Sequence, residues 1–143
     1  PTLTTFSTDW VDQFSTNEEI AAAPFDARAS VSVMTLDQMI QRFGRPSFCK
    51  IDVEGFEDRV LSGLSEPITA LSFEAFPLQK ERSIRCIKHL MSLGKYQFRT
   101  VFAEQFKWVQ EDWVDAQTMI DIIDDWDMGS GSGDVYAAVD PKS

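Results

Sequence analysis

The sequence is poor in histidine and cysteine, the residue types that build most metal centres and disulfide frameworks. Its 143 residues contain one histidine, His89, and two cysteines, Cys49 and Cys86. A histidine-rich metal site is therefore excluded, and the absence of a Cys-x-x-Cys pair disfavours a zinc site. Two cysteines do not make a disulfide framework, so we expect reduced thiols in a cytoplasmic protein and no bound metal.

Positive charge and long apolar runs are also scarce. The chain has 13 lysines and arginines against 23 aspartates and glutamates, which gives a net charge of −10. A protein that binds nucleic acids or anionic membranes needs a surplus of basic residues, which this chain lacks. We therefore predict that neither is its main partner. No run of about 18 apolar residues suits a transmembrane helix, and we recognise no secretory leader. Hydrophobic residues still make up 43% of the chain, enough for the core of one domain.

The most informative stretch covers residues 48–64. Residues 48–53 form a short, largely apolar run with β-branched side chains, which predicts a buried strand. Residues 56–64 carry apolar side chains at positions i, i+4, i+5 and i+8, which predicts a helix. Asp52 and Glu54 lie where the strand gives way to the helix. Ligands of open α/β sheets bind at the carboxyl ends of strands, so these two carboxylates are candidate site residues.

The rest of the chain alternates between strand and helix patterns. Further strands are predicted at residues 30–34, 68–76, 96–102 and 135–139. Further helices are predicted after Thr35, which forms a capping box with Gln38, over residues 78–93, and after Asp112. Residues 1–29 are weakly patterned and are predicted to be an irregular segment. The order of elements indicates one α/β domain over residues 1–143.

Five short motifs resemble the FkbM family of S-adenosylmethionine-dependent methyltransferases. They are Thr-Leu-Asp at 35–37, Lys-Ile-Asp-Val-Glu-Gly-Phe-Glu at 50–57, Val-Leu-Ser-Gly at 60–63, Leu-Ser-Phe-Glu at 71–74 and Gly-Asp-Val-Tyr-Ala at 133–137. Together they cover residues 35–138 and correspond to the second half of the family domain. The resemblance implies the C-terminal part of a Rossmann-like class I methyltransferase sheet, with mostly parallel strands, flanking helices and an antiparallel last strand.

The resemblance implies a catalytic role for Asp52, Glu54 and Glu74. Asp52 and Glu54 would face the donor methyl group or orient the acceptor; the alternative is that Asp52 caps the next helix while Glu54 and Glu57 favour its positive end. Glu74 ends the neighbouring strand, and like charges nearby would raise the pKa of one carboxyl, as a general base requires. The alternative for Glu74 is a surface ion pair with Lys80 or Arg82.

A glycine-rich turn between a strand and a helix is missing. The resemblance implies that such a turn, with an acid after the second strand, holds the cofactor S-adenosylmethionine. No Gly-x-Gly in this chain follows a predicted strand and opens a helix, since the glycines at 129, 131 and 133 precede a strand. We therefore expect the family's first three strands to be absent, and this chain alone not to bind S-adenosylmethionine at micromolar concentration.

Three hypotheses follow. The leading one is the C-terminal part of an S-adenosylmethionine-dependent methyltransferase that acts on a small-molecule or glycan hydroxyl. The second is a non-catalytic α/β module for oligomerisation or interaction, derived from the same fold. The third and weakest is a metal-assisted hydrolase that uses Asp52, Glu54 and Glu74.

The predicted strand at residues 48–53 also bears on assembly. In the family fold, as the resemblance implies, this strand pairs with a first strand on one side and with residues 68–76 on the other. Without the first strand it becomes an apolar edge, which is a template for further pairing. The edge could be covered by a missing N-terminal half, by residues 1–29, or by a second copy of the chain.

We predict the second copy, arranged as a two-fold symmetric homodimer, because residues 1–29 are few for replacing three strands and their helices. Light scattering at micromolar concentration should then report about twice the chain mass of 16.2 kDa. A strictly monomeric chain that unfolds cooperatively would contradict the prediction.

Overall fold

The computed structural model describes residues 31–102, 107–127, 129 and 131–140. Its strands are β1 (Cys49–Ile51), β2 (Ala70–Ala75), β3 (Tyr96–Phe102) and β4 (Gly133–Val139). Its α-helices are α1 (Leu36–Phe43), α2 (Glu57–Leu61), α3 (Lys80–Leu93) and α4 (Ala116–Asp125), with a 3-10 turn at Pro77–Gln79 before α3. None of the helices in these ranges is long and apolar enough to cross a membrane.

Helix α1 begins at the predicted capping box. The Thr35 hydroxyl accepts a hydrogen bond from the Gln38 backbone N–H at 3.2 Å, and the Gln38 side chain accepts one from the Thr35 N–H at 3.0 Å. These bonds satisfy N–H groups that have no partner within the helix, which fixes the start of α1.

Helix α4 begins three residues after the predicted position. Its cap is Asp115, whose carboxylate accepts from the Thr118 backbone N–H at 2.8 Å, so the prediction of Asp112 is wrong. The reason is a pairing that the local pattern does not reveal: Val114 exchanges two backbone hydrogen bonds with Phe98 in β3. Val114 is therefore held beside β3, and the chain turns helical only afterwards.

The sheet is mixed, with strand order β1-β2-β4-β3. Strands β1 and β2 are parallel, whereas β4 runs antiparallel to both β2 and β3. The predicted antiparallel last strand is confirmed, but the prediction of a mostly parallel sheet is wrong. Because β4 inserts between β2 and β3, two of the three neighbouring pairs in the described sheet become antiparallel.

Three further boundaries differ from the sequence prediction. Residues 31–34 form no strand and are exposed. Strand β1 is shorter than the predicted 48–53, and helix α2 is shorter than the predicted 56–64. Residues 52–56 connect β1 to α2 instead, with Glu54 and Gly55 in a left-handed turn. The irregular segment predicted at residues 1–29 lies outside the described residues.

The two faces of the sheet differ in character because successive strand side chains alternate in direction. One face packs against the helices and carries the apolar core. Its fully buried strand residues include Leu71, Phe73, Phe98 and Val135. The helices and the segment after α2 add Leu61, Leu64, Ile87, Leu90, Met119 and Ile123. Each such burial contributes roughly 1.5–3 kcal/mol. The opposite face carries polar and aromatic side chains, and it is this face that bears the candidate site.

Strand β1 is an edge of the described sheet. The neighbouring Phe48 is 48% exposed. Helix α1 contributes no buried residue and leaves Met39 and Phe43 exposed. The homodimer inferred from this edge remains a prediction.

Gly133 opens β4 where the strand passes closest to its neighbours, which yields a prediction about stability. A Cβ atom at this position would collide with the Val101 carbonyl oxygen and lie 2.8 Å from the ring of Trp126. We expect Gly133→Ala to lower the free energy of unfolding by about 1–3 kcal/mol, as overpacking does.

Gly94→Ala is the matched control, because a Cβ there meets ordinary contacts of 3.6 Å or more. Denaturant unfolding of both variants measures the difference. Equal stability of the two variants would contradict the predicted collision.

Candidate functional site

Three acidic side chains lie side by side across three neighbouring strands. The register pairs Ile51 of β1 with Phe73 of β2, so Asp52 lies beside Glu74 one residue further along. Glu74 is in turn the direct partner of Asp134 in β4. All three side chains point to the face opposite the helices. We call Asp52, Glu74 and Asp134 the carboxylate row.

A left-handed turn brings a fourth carboxylate to this row. Glu54 has a φ of 49° and Gly55 a φ of 94°. Glycine adopts this conformation freely, but a residue with a Cβ is strained in it, and such strain concentrates at functional sites. The turn folds the Glu54 carboxylate back, so that oxygen atoms of Asp52, Glu54 and Glu74 lie within 4.8 Å of one another.

Glu57 fixes the conformation of this turn. It is buried at 1% exposure, and its Oε1 atom accepts hydrogen bonds from Gly55 N at 3.1 Å and Val53 N at 3.3 Å. Burial raises the pKa of Glu57, and these backbone N–H groups oppose the rise. The N-cap of α2 is Phe56, which makes no side-chain cap bond, so the alternative that Asp52 caps this helix is wrong.

Glu74 has an unusual electrostatic environment. Its Oε2 atom is buried and has no hydrogen-bond partner among the described residues. The pKa of Glu74 is raised to about 8. Burial of the carboxyl is the largest cause, and the negative charges of Glu54, Asp52, Glu57 and Asp134 raise it further. The like-charge effect predicted from the sequence is thus present.

The alternative reading of Glu74 as a surface ion pair is wrong. Lys80 donates its ammonium hydrogen bond to the backbone oxygen of Asp124 instead. Arg82 lies 3.8 Å from the carboxylate of Asp58 and also bonds the side chain of Gln79. Both cations are therefore engaged on the far side of the sheet.

Sequence reasoning missed two residues of the site. Lys50, which the sequence analysis placed only within the motif at 50–57, has its Nζ atom 3.2 Å from Asp52 and 3.8 Å from Asp134. Asp134, placed only within the motif at 133–137, completes the carboxylate row. The spacing of Lys50 and Asp52 does place both on one strand face, but the position of Asp134 depends on a strand order that the sequence does not display.

Aromatic side chains border the carboxylate row. Tyr136 follows Asp134 on the same face of β4, and its ring stacks at 6.3 Å on Phe48 and meets Trp108 edge-on at 5.0 Å. The guanidinium of Arg99 lies over the Trp108 ring at 4.3 Å. Trp108 is 45% exposed, so this apolar border is open to solvent.

A sequence model of the family described as Methyltransferase FkbM domain matches residues 4–127. The chain belongs to the FkbM methyltransferase family. The match confirms the resemblance carried by the motifs and extends it towards the N-terminus, to residue 4. It includes Asp52, Glu54 and Glu74, while Asp134 lies beyond its end. The searches of curated proteins and of solved structures gave no significant match.

The site of this FkbM domain suits a cationic ligand better than a phosphate. Carboxylates attract positive charge, and the Val53 and Gly55 N–H groups that would otherwise receive an anion are bonded to Glu57. The spacing of Asp52, Glu54 and Glu74 would admit a cation, but acidic groups commonly lie this close without one and the spacing does not make them metal ligands.

The raised pKa of Glu74 links the stability of the FkbM domain to pH. The folded protein holds this proton up to about pH 8, whereas the unfolded chain releases it near the ordinary value of 4.5. Between these values the folded state binds more protons, so the free energy of unfolding falls as the pH rises from about 4.5 through 8.

We predict that Glu74→Gln, which removes this titration, raises the free energy of unfolding at about pH 8.5 by roughly 2–4 kcal/mol and much less at about pH 5.5. Denaturant unfolding at both pH values measures the effect. Glu81→Gln, at an exposed position of α3, is the control and should change either value by less than about 0.5 kcal/mol. A Glu74→Gln effect of equal size at both pH values would show that the wild-type carboxyl does not titrate in this range.

Proposed function

We propose that this FkbM domain takes part in methyl transfer from S-adenosylmethionine to a hydroxyl oxygen, with Glu74 as the general base. The observation that carries the proposal is the position of Glu74 between Asp52, Glu54 and Asp134, where its pKa is raised to about 8. This site lies at the carboxyl ends of the parallel strands β1 and β2, where α/β folds bind ligands.

A hydroxyl acceptor explains why such a base is useful. The oxygen must lose its proton as it forms the new bond to carbon, because an alcohol is otherwise a weak nucleophile. A base works best when its pKa lies near the working pH, since it is then both available and strong enough. In the proposed step the acceptor proton passes to the carboxylate of Glu74, whose pKa of about 8 suits this role.

Asp52 and Glu54 take the remaining roles in the proposal. S-adenosylmethionine supplies an electrophilic methyl group on a positively charged sulfur. The carboxylates of Asp52 and Glu54 would face that positive charge or orient the acceptor hydroxyl, as their distance to Glu74 allows. Their negative charge fits the cationic end of the cofactor.

The adenosine end of the cofactor requires other residues. Among the described residues, one turn between a strand and a helix contains a glycine. The Val53 and Gly55 N–H groups of this turn donate to Glu57, so they are not available to bind the adenosine. We therefore propose that residues outside the described ranges, or another polypeptide segment, hold the adenosine.

The acceptor in this proposal is a small molecule or a glycan. The ring faces of Tyr136 and Trp108 beside the carboxylate row provide an apolar surface for its carbon skeleton.

The two free thiols, Cys49 and Cys86, support a reducing compartment such as the cytoplasm. The second candidate function is a non-catalytic interaction module, favoured by the lack of an adenosine cradle among the described residues.

Labelled methyl transfer tests the proposal in the full-length product of the gene, with a pool of hydroxylated metabolites as acceptors. We expect Glu74→Gln, Asp52→Asn and Glu54→Gln each to lower the rate per folded molecule by about 10²–10⁴ while the protein stays folded. The wild-type kcat/KM should rise with pH to a plateau above the pKa of Glu74.

Glu81→Gln is the control and should retain the wild-type rate. Melting temperatures separate lost activity from lost folding. Normal transfer by Glu74→Gln would refute the general base, and the absence of any labelled product would favour the non-catalytic module.

A further inference from the structure

Lys50 has no role in the proposed reaction so far, yet it lies at the centre of the site. It belongs to β1 and projects to the same face as the carboxylate row, two residues before Asp52. Its register partner in β2 is Ser72, which is paired in turn with Tyr136 of β4. The backbone of Lys50 therefore lies in register with Ser72 and Tyr136, two residues away from the carboxylate row along the strands. Its side chain extends towards that row.

The contacts of Lys50 are selective. Its Nζ atom lies 3.2 Å from Asp52 Oδ2 and 3.8 Å from Asp134 Oδ2, the two ends of the carboxylate row. Among the described ion pairs it forms none with Glu74, the central member. One ammonium group thus bridges the outer carboxylates and makes no direct ion pair with the middle one.

We propose that Lys50 is a positioning residue, which holds Asp52 and Asp134 in place as charged groups and thereby reserves proton uptake at this site for Glu74. The catalytic meaning of this inference rests on the proposed function, but the arrangement itself does not.

The physical reason is competition for a proton. Carboxylates this close together cannot all be charged without a large repulsion, so one of them retains a proton. The groups that face Glu74 are Lys50 of β1, Asp52 directly after β1, Glu54 of the turn, Glu57 of α2 and Asp134 of β4.

An ammonium group favours the charged form of the carboxylates that it touches. Burial raises the pKa of Asp134, and the charge of Lys50 opposes that rise. The hydrogen bond to Asp52 is the largest cause that raises the pKa of Lys50 itself, so the lysine remains charged while it bridges the row. Glu74 lacks such a contact and is the most deeply buried of the row, which makes it the member that keeps the proton.

The test follows the side-chain carboxyl signals by ¹³C NMR as the pH is raised, in the wild type, Lys50→Met, Lys50→Arg and Lys95→Met. In the wild type we expect the carboxyl signal that is absent from Glu74→Gln to titrate near pH 8. In Lys50→Met, the titration of Asp134 should move to higher pH. Lys50→Arg keeps the charge and should restore it, and Lys95→Met, at an exposed position, should leave it unchanged.

An unchanged Asp134 titration in a folded Lys50→Met protein would overturn the proposal. Lys50→Arg keeps the test decisive if the methionine variant does not fold, because failure of the arginine side chain to preserve the Asp134 titration would also overturn it. In an active enzyme, Lys50→Met should lower kcat/KM at neutral pH by about 10–10²-fold and alter its pH profile.

The NMR result does not depend on methyl transfer, so the two proposals can fail separately. A shifted titration without methyl transfer refutes the proposed function alone. Methyl transfer without the shift refutes the role of Lys50 alone.

Discussion

The pairing of β2 with β4 is the constraint on which the site depends. It sets Glu74 directly opposite Asp134, while the parallel pairing of β1 with β2 brings Asp52 to the other side. The strand registers therefore force three carboxylates into a row, and folding must accommodate their repulsion. The repulsion falls when one carboxyl keeps its proton and when a lysine contacts the charged carboxylates. Glu74 keeps the proton, and Lys50 contacts Asp52 and Asp134.

The turn after β1 shows how a buried polar group shapes a site without belonging to its exposed surface. Glu57 ties down the backbone of Val53 and Gly55, and the left-handed Glu54 then presents its carboxylate to the row. An exposed turn of this kind would relax to a less strained conformation. Here the buried carboxylate of Glu57 and the helix that it opens hold the strain in place.

Local patterns in the sequence were sufficient for part of this account. The period-two and period-3.6 patterns predicted β2, β3, α1 and α3 within a few residues, because β2, β3 and α3 bury apolar side chains on one face and α1 packs Leu36 and Ile40 against the core. The motif at residues 50–57 pointed to Asp52 and Glu54 as candidate site residues, but not to the left-handed turn that follows β1. The insertion of β4 between β2 and β3 was not predictable in this way, since strand order is a long-range property. For that reason Asp134 and the contacts of Lys50 escaped the sequence analysis. Asp112 was mistaken for the cap of α4 because the pairing of Val114 with Phe98 is likewise long-range.

The central claim is that Glu74 carries a proton at neutral pH in the folded FkbM domain. Infrared spectroscopy tests it most directly, because the carbonyl band of a protonated carboxyl differs from that of a carboxylate. The account predicts a protonated-carboxyl band at about pH 7 that is absent from Glu74→Gln and disappears with a midpoint near pH 8. A wild-type spectrum without that band at pH 7 would contradict it.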